Sequence, residues 1–129
     1  IFRGSKIFSV RHLRNKGIDL LLEVKSVTLV QGGIAKFPDA VTERGRRHVT
    51  HLGELAKKGE NTMVLFVVQR SDAFAFQPQW ERDPKFGHAL FDAMQKGLII
   101  KVIKMGMGKK ECKYMGEIPF MVLPPKKQK

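Results

Sequence analysis

The sequence is poor in cysteine, in tryptophan and tyrosine, and in long apolar runs. Cys112 is the only cysteine among 129 residues, which excludes a disulfide framework and a zinc site built from cysteines. One Trp and one Tyr stand beside nine Phe, so base stacking is not the favoured way of recognising nucleic acid. No apolar run approaches the roughly 18 residues of a membrane span, and the start lacks a secretory apolar segment. These absences predict a cytoplasmic protein without a membrane partner.

Acidic residues are also scarce, and this imbalance points to a partner. Twelve Asp and Glu face 24 Lys and Arg, which gives a formal net charge of +12. A field of this sign attracts phosphates, so we expect DNA as the partner, mainly through its backbone phosphates. RNA and homo-oligomer formation stay open. The residues expected to contact phosphates are Arg44, Arg46, Arg47, Lys57 and Lys58.

The apolar pattern predicts a single α/β domain over residues 1–129. The predicted strands are 6–13, 18–30, 62–68 and 98–104, with 118–122 as an edge strand. A helix is predicted over 41–58, closed by Gly59, and a second from the Asp83 cap to residue 96. The Gly- and Lys-rich stretch 105–113 is predicted as a loop. This order indicates a mixed central sheet flanked by helices.

Glu23 and Lys25 form the most pointed local feature, because they place two charges in the most apolar predicted strand. Alternate residues of a strand project to the same face, so the two side chains lie together. One interpretation is an ion pair at the open end of the sheet. The other is a metal-dependent phosphodiesterase site, in which the carboxylate holds Mg²⁺ and the lysine positions the attacking water.

A second carboxylate is needed for such a site, and Asp19 is the natural candidate. Four strand residues separate it from Glu23, or roughly 13 Å. Two carboxylates on one ion need oxygens within about 4–5 Å of each other. A straight strand therefore cannot bring the two together.

Two longer strings carry a family resemblance. Residues 23–29 read EVKSVTL, and residues 37–45 read FPDAVTERG, with His48 following. This combination resembles the sugar fermentation stimulation protein family, over residues 18–97. The resemblance implies a restriction-endonuclease-like, PD-(D/E)XK core, cleavage of phosphodiesters assisted by Mg²⁺ or Mn²⁺, and a link to sugar metabolism through DNA binding. It implies that Asp19 and Glu23 are metal ligands and that Lys25 is the catalytic lysine.

Four further positions match the family motif in the loop and helix after the strand: Asp39, Glu43, Arg44 and His48. The resemblance implies that Glu43 is among the catalytic candidates. His48 lies on the apolar side of the predicted helix, which favours a supporting role over metal ligation.

The sequence departs from the family in two ways. The resemblance implies an N-terminal OB-like domain, which we expect to lie outside this sequence, and no turn separates Asp19 from Glu23. Residues omitted between Glu23 and Val24 would explain that spacing. In a continuous sequence, Asp39 or Glu43 would have to replace Asp19.

Two functions follow from these observations. The leading hypothesis is a DNA-binding protein with a Mg²⁺-dependent nuclease site, linked to the regulation of sugar metabolism. The alternative is a non-catalytic, largely sequence-independent DNA-binding regulator.

Overall fold

Two helices and two sheets make up the described part of a computed structural model, which covers residues 10–15, 18–107 and 111–125. The elements follow one another as β1 (Val10–Asn15), β2 (Ile18–Val27), β3 (Leu29–Gln31), β4 (Ile34–Phe37), α1 (Glu43–Lys57), β5 (Thr62–Val68), β6 (Ala75–Pro78), α2 (Pro84–Gln95), β7 (Ile99–Met107) and β8 (Cys112–Glu117).

The larger sheet has the strand order β1-β2-β5-β7-β8. Its three inner strands are parallel, and the two edge strands run antiparallel to their neighbours. The smaller sheet has the order β3-β4-β6. The predicted mixed α/β fold is therefore confirmed, and the EVK strand β2 is an inner strand, as its apolar sequence indicates.

Both helices begin at the caps that the sequence provides. The Thr42 hydroxyl accepts a hydrogen bond from the Gly45 N–H at 2.9 Å. Asp83 accepts one from the Phe86 N–H at 3.1 Å, and Pro84 occupies the first helical position. Side-chain oxygens in these places satisfy amide donors that have no partner within the helix.

The two helices run parallel and approach closely. A Cβ added to Gly45 would lie 3.4 Å from the Phe86 ring, and one added to Gly53 would lie 2.8 Å from Ala93 Cα. Contact points therefore advance along both helices in the same direction. Glycine at position 53 permits this approach because a side chain there would meet backbone atoms.

The core lies between the helices, the smaller sheet and one face of the larger sheet. Val64 and Phe66 of β5 are fully buried, as are Leu52 of α1 and Leu90 of α2. The Phe66 ring stacks on Phe76 with centroids 4.5 Å apart. On β2, the same face carries Glu23 and Lys25, so the core borders the candidate site.

Several predicted boundaries were wrong. The strand predicted over 18–30 is divided at Thr28, where β2 ends and β3 begins. The short strands β4 and β6 were missed. The predicted loop 105–113 contains the end of β7 and the start of β8, because backbone pairing does not require apolar side chains.

The two predicted edge strands also differ from those observed. The first edge strand is β1 over Val10–Asn15, and residues 6–9 of the predicted strand lie outside the described residues. At the other edge, β8 over Cys112–Glu117 takes the place predicted for 118–122. That segment instead forms a parallel bridge, Phe120 to Phe76, on the smaller sheet.

The chain reverses direction before Asp19. Asn15 pairs with Ile18 in the β1-β2 ladder, and the two strands run antiparallel. Pairing of β2 with β5 continues without interruption through Glu23 and Val24. The backbone therefore has no turn or break at the place where omitted residues were expected.

Among the described residues, neither helix has the length and apolar character that a membrane crossing requires.

Candidate functional site

Glu23, Lys25 and His48 form a buried charged cluster between β2 and α1. The Glu23 side chain has no exposed surface, and its Oε2 lies 2.9 Å from Lys25 Nζ and 2.6 Å from His48 Nδ1. The Lys25 side chain is 13% exposed, so the cluster reaches solvent through this lysine. The predicted pairing of Glu23 with Lys25 is thus observed, and His48 joins them.

The local structure explains why these three side chains meet. Glu23 and Lys25 are two residues apart on a strand, so both point toward the helices. His48 lies on the buried side of α1, together with Gly45 and Leu52. Packing of this helix face against the sheet carries the imidazole onto the carboxylate.

His48 is held in its neutral form. Burial lowers the pKa of His48 below its usual value, against the opposing attraction of the Glu23 carboxylate. Lys25 and Arg44 lower it further, since each is a positive charge. A carboxylate only accepts hydrogen bonds, so Nδ1 of the neutral imidazole carries the proton and donates a hydrogen bond to Glu23. The contact of 3.4 Å between Lys25 Nζ and the same nitrogen is then a contact between two donors.

The donor set of this cluster does not fit a divalent cation. Glu23 is its one carboxylate, and the Oε2 atom is taken up by an ammonium group and an imidazole N–H. Mg²⁺ sites rely on carboxylates and other oxygen ligands. Within the described residues, no group of three or more His, Cys, Asp or Glu is placed to hold an ion. Every Asp and Glu of the sequence lies in the described ranges.

Asp19, predicted as the second metal ligand, is not brought to Glu23. Both lie on the continuous strand β2, where the four-residue spacing separates them by roughly 13 Å. In the register of the β1-β2 ladder, the backbone of Asp19 lies opposite Arg14 and that of Glu23 lies opposite Val10. The antiparallel neighbour could have supplied a carboxylate across the ladder, but β1 reads VRHLRN and contains none.

Asp39 and Glu43 do not replace Asp19 in this arrangement. Asp39 is exposed before α1. Glu43 is 74% exposed, and its Oε1 lies 3.6 Å from Arg46 Nη2. Among the described contacts, neither carboxylate bonds to Glu23, Lys25 or His48. The catalytic role predicted for Glu43 has no geometric support here, whereas His48 lies where the family motif places it.

The predicted phosphate-contacting residues lie on α1 and its C-cap. Arg44, Arg47, Lys57 and Lys58 are exposed, and Arg46 is partly exposed. Arg44 precedes His48 by one helical turn and contributes to lowering the pKa of that histidine, which places its charge beside the mouth of the buried cluster.

Sequence reasoning missed a groove between α1 and α2. Its lining includes Arg46, Arg47 and His51 from the first helix and Lys85, His88 and Asp92 from the second. The caps and the helices were predictable from local signals. Their side-by-side packing was not, because it depends on residues distant in sequence.

Comparison with known proteins places the chain in a family. A family model described as "SfsA: Sugar fermentation stimulation protein RE domain" matches residues 5–111. A curated sugar fermentation stimulation protein homolog from Natranaerobius thermophilus is 41% identical over 116 residues, which cover 90% of this chain and 48% of that protein. A homolog from Pyrobaculum arsenaticum is 38% identical over 136 residues, covering 97% of this chain and 59% of that protein.

A solved structure shares the fold. It is described as the structure of Pyrococcus furiosus SfsA in complex with Ca²⁺, and it matches with a TM-score of 0.78 and 26% identity. The match covers 90% of this chain and 57% of that one. The chain thus spans about half the length of these relatives. The resemblance read from the EVKSVTL and FPDAVTERG strings is confirmed, and the chain belongs to the sugar fermentation stimulation protein family, with its mixed α/β, nuclease-like fold.

Proposed function

We propose that this chain is a DNA-binding domain that holds backbone phosphates without cutting them. The observation that carries the proposal is the contrast between the positive surface and the buried carboxylate. The chain has a net charge of +12, while the buried Glu23 carboxylate is paired with the Lys25 ammonium group and accepts a hydrogen bond from His48. In a family named for the stimulation of sugar fermentation, such a domain would act as a DNA-binding regulator.

The cations of α1 support phosphate contact. Arg44 and Lys58 are 14 positions apart, and an α-helix rises about 1.5 Å per residue, so their charges span about 20 Å. Duplex DNA carries one charge per about 1.7 Å of its axis, so a surface of this length meets several phosphates. Contacts of this kind are independent of sequence, because phosphates carry no base information.

The buried cluster supports binding without cleavage. The Lys25 side chain is partly exposed, and a phosphate oxygen that approaches it there can bind its ammonium group beside Glu23. Binding without cleavage is also favoured because, among the described residues, no group of three or more His, Cys, Asp or Glu is placed for the divalent ion that cleavage of this type requires. Lys25 then contributes a positive charge to the phosphate contact, and the contact needs no metal ion.

Metal-dependent cleavage is the second candidate function. The contact of 2.9 Å between Lys25 and Glu23 favours it, since this pair is the acid and lysine of the family motif. The Pyrococcus furiosus relative, whose structure is described as a complex with Ca²⁺, also favours it. In this chain the remaining ligands would have to come from the DNA, from water or from the further length that the relatives possess.

Fluorescence anisotropy with a labelled duplex separates the two functions. We expect binding in EDTA, no gain of affinity on adding Mg²⁺ or Mn²⁺, and unchanged affinity for Glu23→Gln. Lys101→Gln is the control for a substitution outside the proposed contact surface, because Lys101 is an exposed cation on the strand β7 and not on α1. Competition with single-stranded DNA and with RNA identifies the preferred polymer. Affinity that required both a divalent ion and Glu23 would contradict binding without a metal.

A cleavage assay tests the second function directly. Supercoiled and linear DNA are incubated with Mg²⁺ or Mn²⁺ beside a Glu23→Ala/Lys25→Ala preparation. We expect the two preparations to leave the DNA equally intact. Cleavage by the wild-type chain alone would establish the nuclease.

A further inference from the structure

The groove between α1 and α2 is a concave surface that the proposed DNA contact does not require. It has a volume of about 710 Å³, within the range of about 300–1,000 Å³ typical of small-molecule pockets. The exposed sides of both helices line it, and the small side chains Thr50, Ala89 and Ala93 leave its floor open. Arg44, Lys57 and Lys58 lie outside its lining.

One end of the groove is strongly positive. Arg46, Arg47 and Lys85 lie in the first turns of the two helices. Because the helices are parallel, the positive ends of both helix dipoles lie at this end as well. Arg46 pairs with the exposed Glu43, whose Oε1 lies 3.6 Å from Arg46 Nη2. In the described part of the chain, no carboxylate forms an ion pair with Arg47 or Lys85. This end therefore attracts an anion.

A partly buried hydrogen bond fixes the spacing of this end. Asp83 Oδ2 accepts from the Thr42 N–H at 2.9 Å, while Oδ1 accepts from the Phe86 N–H. One carboxylate thus ties the start of α1 to the start of α2. The cations of both helices are held around a preformed opening, which lowers the cost of ordering them on binding.

Carboxylates and imidazoles line the rest of the groove. Asp92 lines it, as does Glu54, which forms an ion pair with Lys96. Carboxylates accept hydrogen bonds from hydroxyl groups and repel phosphates. The imidazoles of His51 and His88 lie in the same lining and can both donate and accept hydrogen bonds.

We propose that this groove binds a small phosphate ester that carries several hydroxyl groups, a sugar phosphate in chemical class. The phosphate lies among Arg46, Arg47 and Lys85, and the hydroxyl-bearing body extends toward Asp92. A nucleic-acid backbone fits less well, because its successive phosphates would meet the carboxylates at the far end. The proposal is independent of DNA binding.

The single tryptophan provides a signal for this site. The Trp80 ring packs edge-on against His88, with centroids 5.2 Å apart, and His88 lines the groove. Occupation of the groove changes the surroundings of the imidazole, so it should change Trp80 fluorescence. Isothermal titration calorimetry gives the affinities independently.

The test titrates the protein with glucose 6-phosphate, inorganic phosphate and glucose. We expect glucose 6-phosphate to bind at least tenfold more tightly than either of the others. Arg47→Gln/Lys85→Gln should weaken it at least tenfold, and Lys101→Gln should leave it unchanged. Asp92→Asn should weaken glucose 6-phosphate more than inorganic phosphate, because it alters the end that meets hydroxyl groups. Circular dichroism checks that each variant is folded.

Three results would overturn the proposal. The first is no response to glucose 6-phosphate, and the second is binding that ignores the Arg47→Gln/Lys85→Gln substitutions. The third is weakened binding of a 12-base-pair duplex in that variant while no small phosphate binds, which would assign the groove to nucleic acid.

Discussion

His48 of α1 donates a hydrogen bond from Nδ1 to Oε2 of Glu23 on β2, across 2.6 Å. This contact connects the histidine of the family motif with the acid of the EVK string, 25 residues earlier. The imidazole N–H thus occupies the carboxylate oxygen that a nuclease would use to bind its metal ion. The stability of the fold and the chemistry of the site therefore depend on the same pair.

Removing the negative charge of Glu23 should destabilise the protein. Glu23→Gln leaves Lys25 beside a neutral amide in a buried setting, and breaking a buried pair in this way costs about 3 kcal/mol. Urea unfolding followed by circular dichroism measures the free energy of unfolding. Glu81→Gln is the control, because Glu81 is exposed. Equal midpoints for the two variants would contradict the structural role of the cluster.

Stability should fall as the pH falls below the ordinary pKa of histidine. Burial lowers the pKa of His48 below 6.5. Just below that pH, the unfolded chain therefore binds more protons at this histidine than the folded chain does. The contribution of His48 is complete above pH 6.5 and is lost as the pH falls from there toward its pKa in the folded protein. Urea midpoints over this range measure the effect.

The control for this pH dependence is His48→Gln, which has no imidazole to titrate at this position. Its urea midpoint should vary less with pH than that of the wild type. A wild-type midpoint that rose as the pH fell through 6.5 would show a raised pKa and contradict the assignment.

Asp83 should contribute more to the free energy of unfolding than an ordinary helix cap does. Its carboxylate accepts from the amides of Phe86 and Thr42, and the residue is 3% exposed. We expect Asp83→Ala to cost about 2 kcal/mol of unfolding free energy or more, since a lost cap alone costs about 1 kcal/mol and the second donor is left without its partner. Asp83→Asn retains one acceptor and should cost less. An alanine variant as stable as the asparagine variant would argue against the tie between the helices.

Gly53 should resist substitution despite its place inside a helix. Alanine there would gain about 1 kcal/mol of helix propensity, but its Cβ would lie 2.8 Å from both Cα and Cβ of Ala93. Overpacking of this kind costs about 1–3 kcal/mol, so we expect net destabilisation in thermal unfolding. Adding Ala93→Gly to Gly53→Ala should recover part of the loss. A Gly53→Ala variant more stable than the wild type would show that the helices separate freely.

Local chemistry explains which parts of the fold were predictable. Asp83 and Pro84 mark the start of the second helix, and Gly59 the end of the first, by hydrogen bonding and backbone geometry that involve only neighbouring residues. The short strands β4 and β6 pair with each other across 41 positions, from Ile34 to Ala75. No local pattern encodes that pairing, which is why both were missed.

The candidate site also has parts that local sequence predicts and parts that it does not. Glu23 and Lys25 were predictable, because a buried strand with two charges on one face requires them to be partners. The separation of the first two strands was predicted, since strands were expected over 6–13 and 18–30, but the possibility of residues omitted after Glu23 left open whether a second acid could approach. The groove depends on the register of α1 against α2 through Gly53 and Ala93, and nothing in either helix alone indicates it.

The salt dependence of duplex binding tests the central claim most directly. The triple variant Arg44→Gln/Lys57→Gln/Lys58→Gln is compared with the wild type by anisotropy over a range of salt concentrations in EDTA. If each cation neutralises one phosphate, the slope of log affinity against log salt should become shallower by about 0.9 for each, or about 2.7 in total. Equal slopes for the two proteins would show that these residues do not hold the phosphates and would contradict the account.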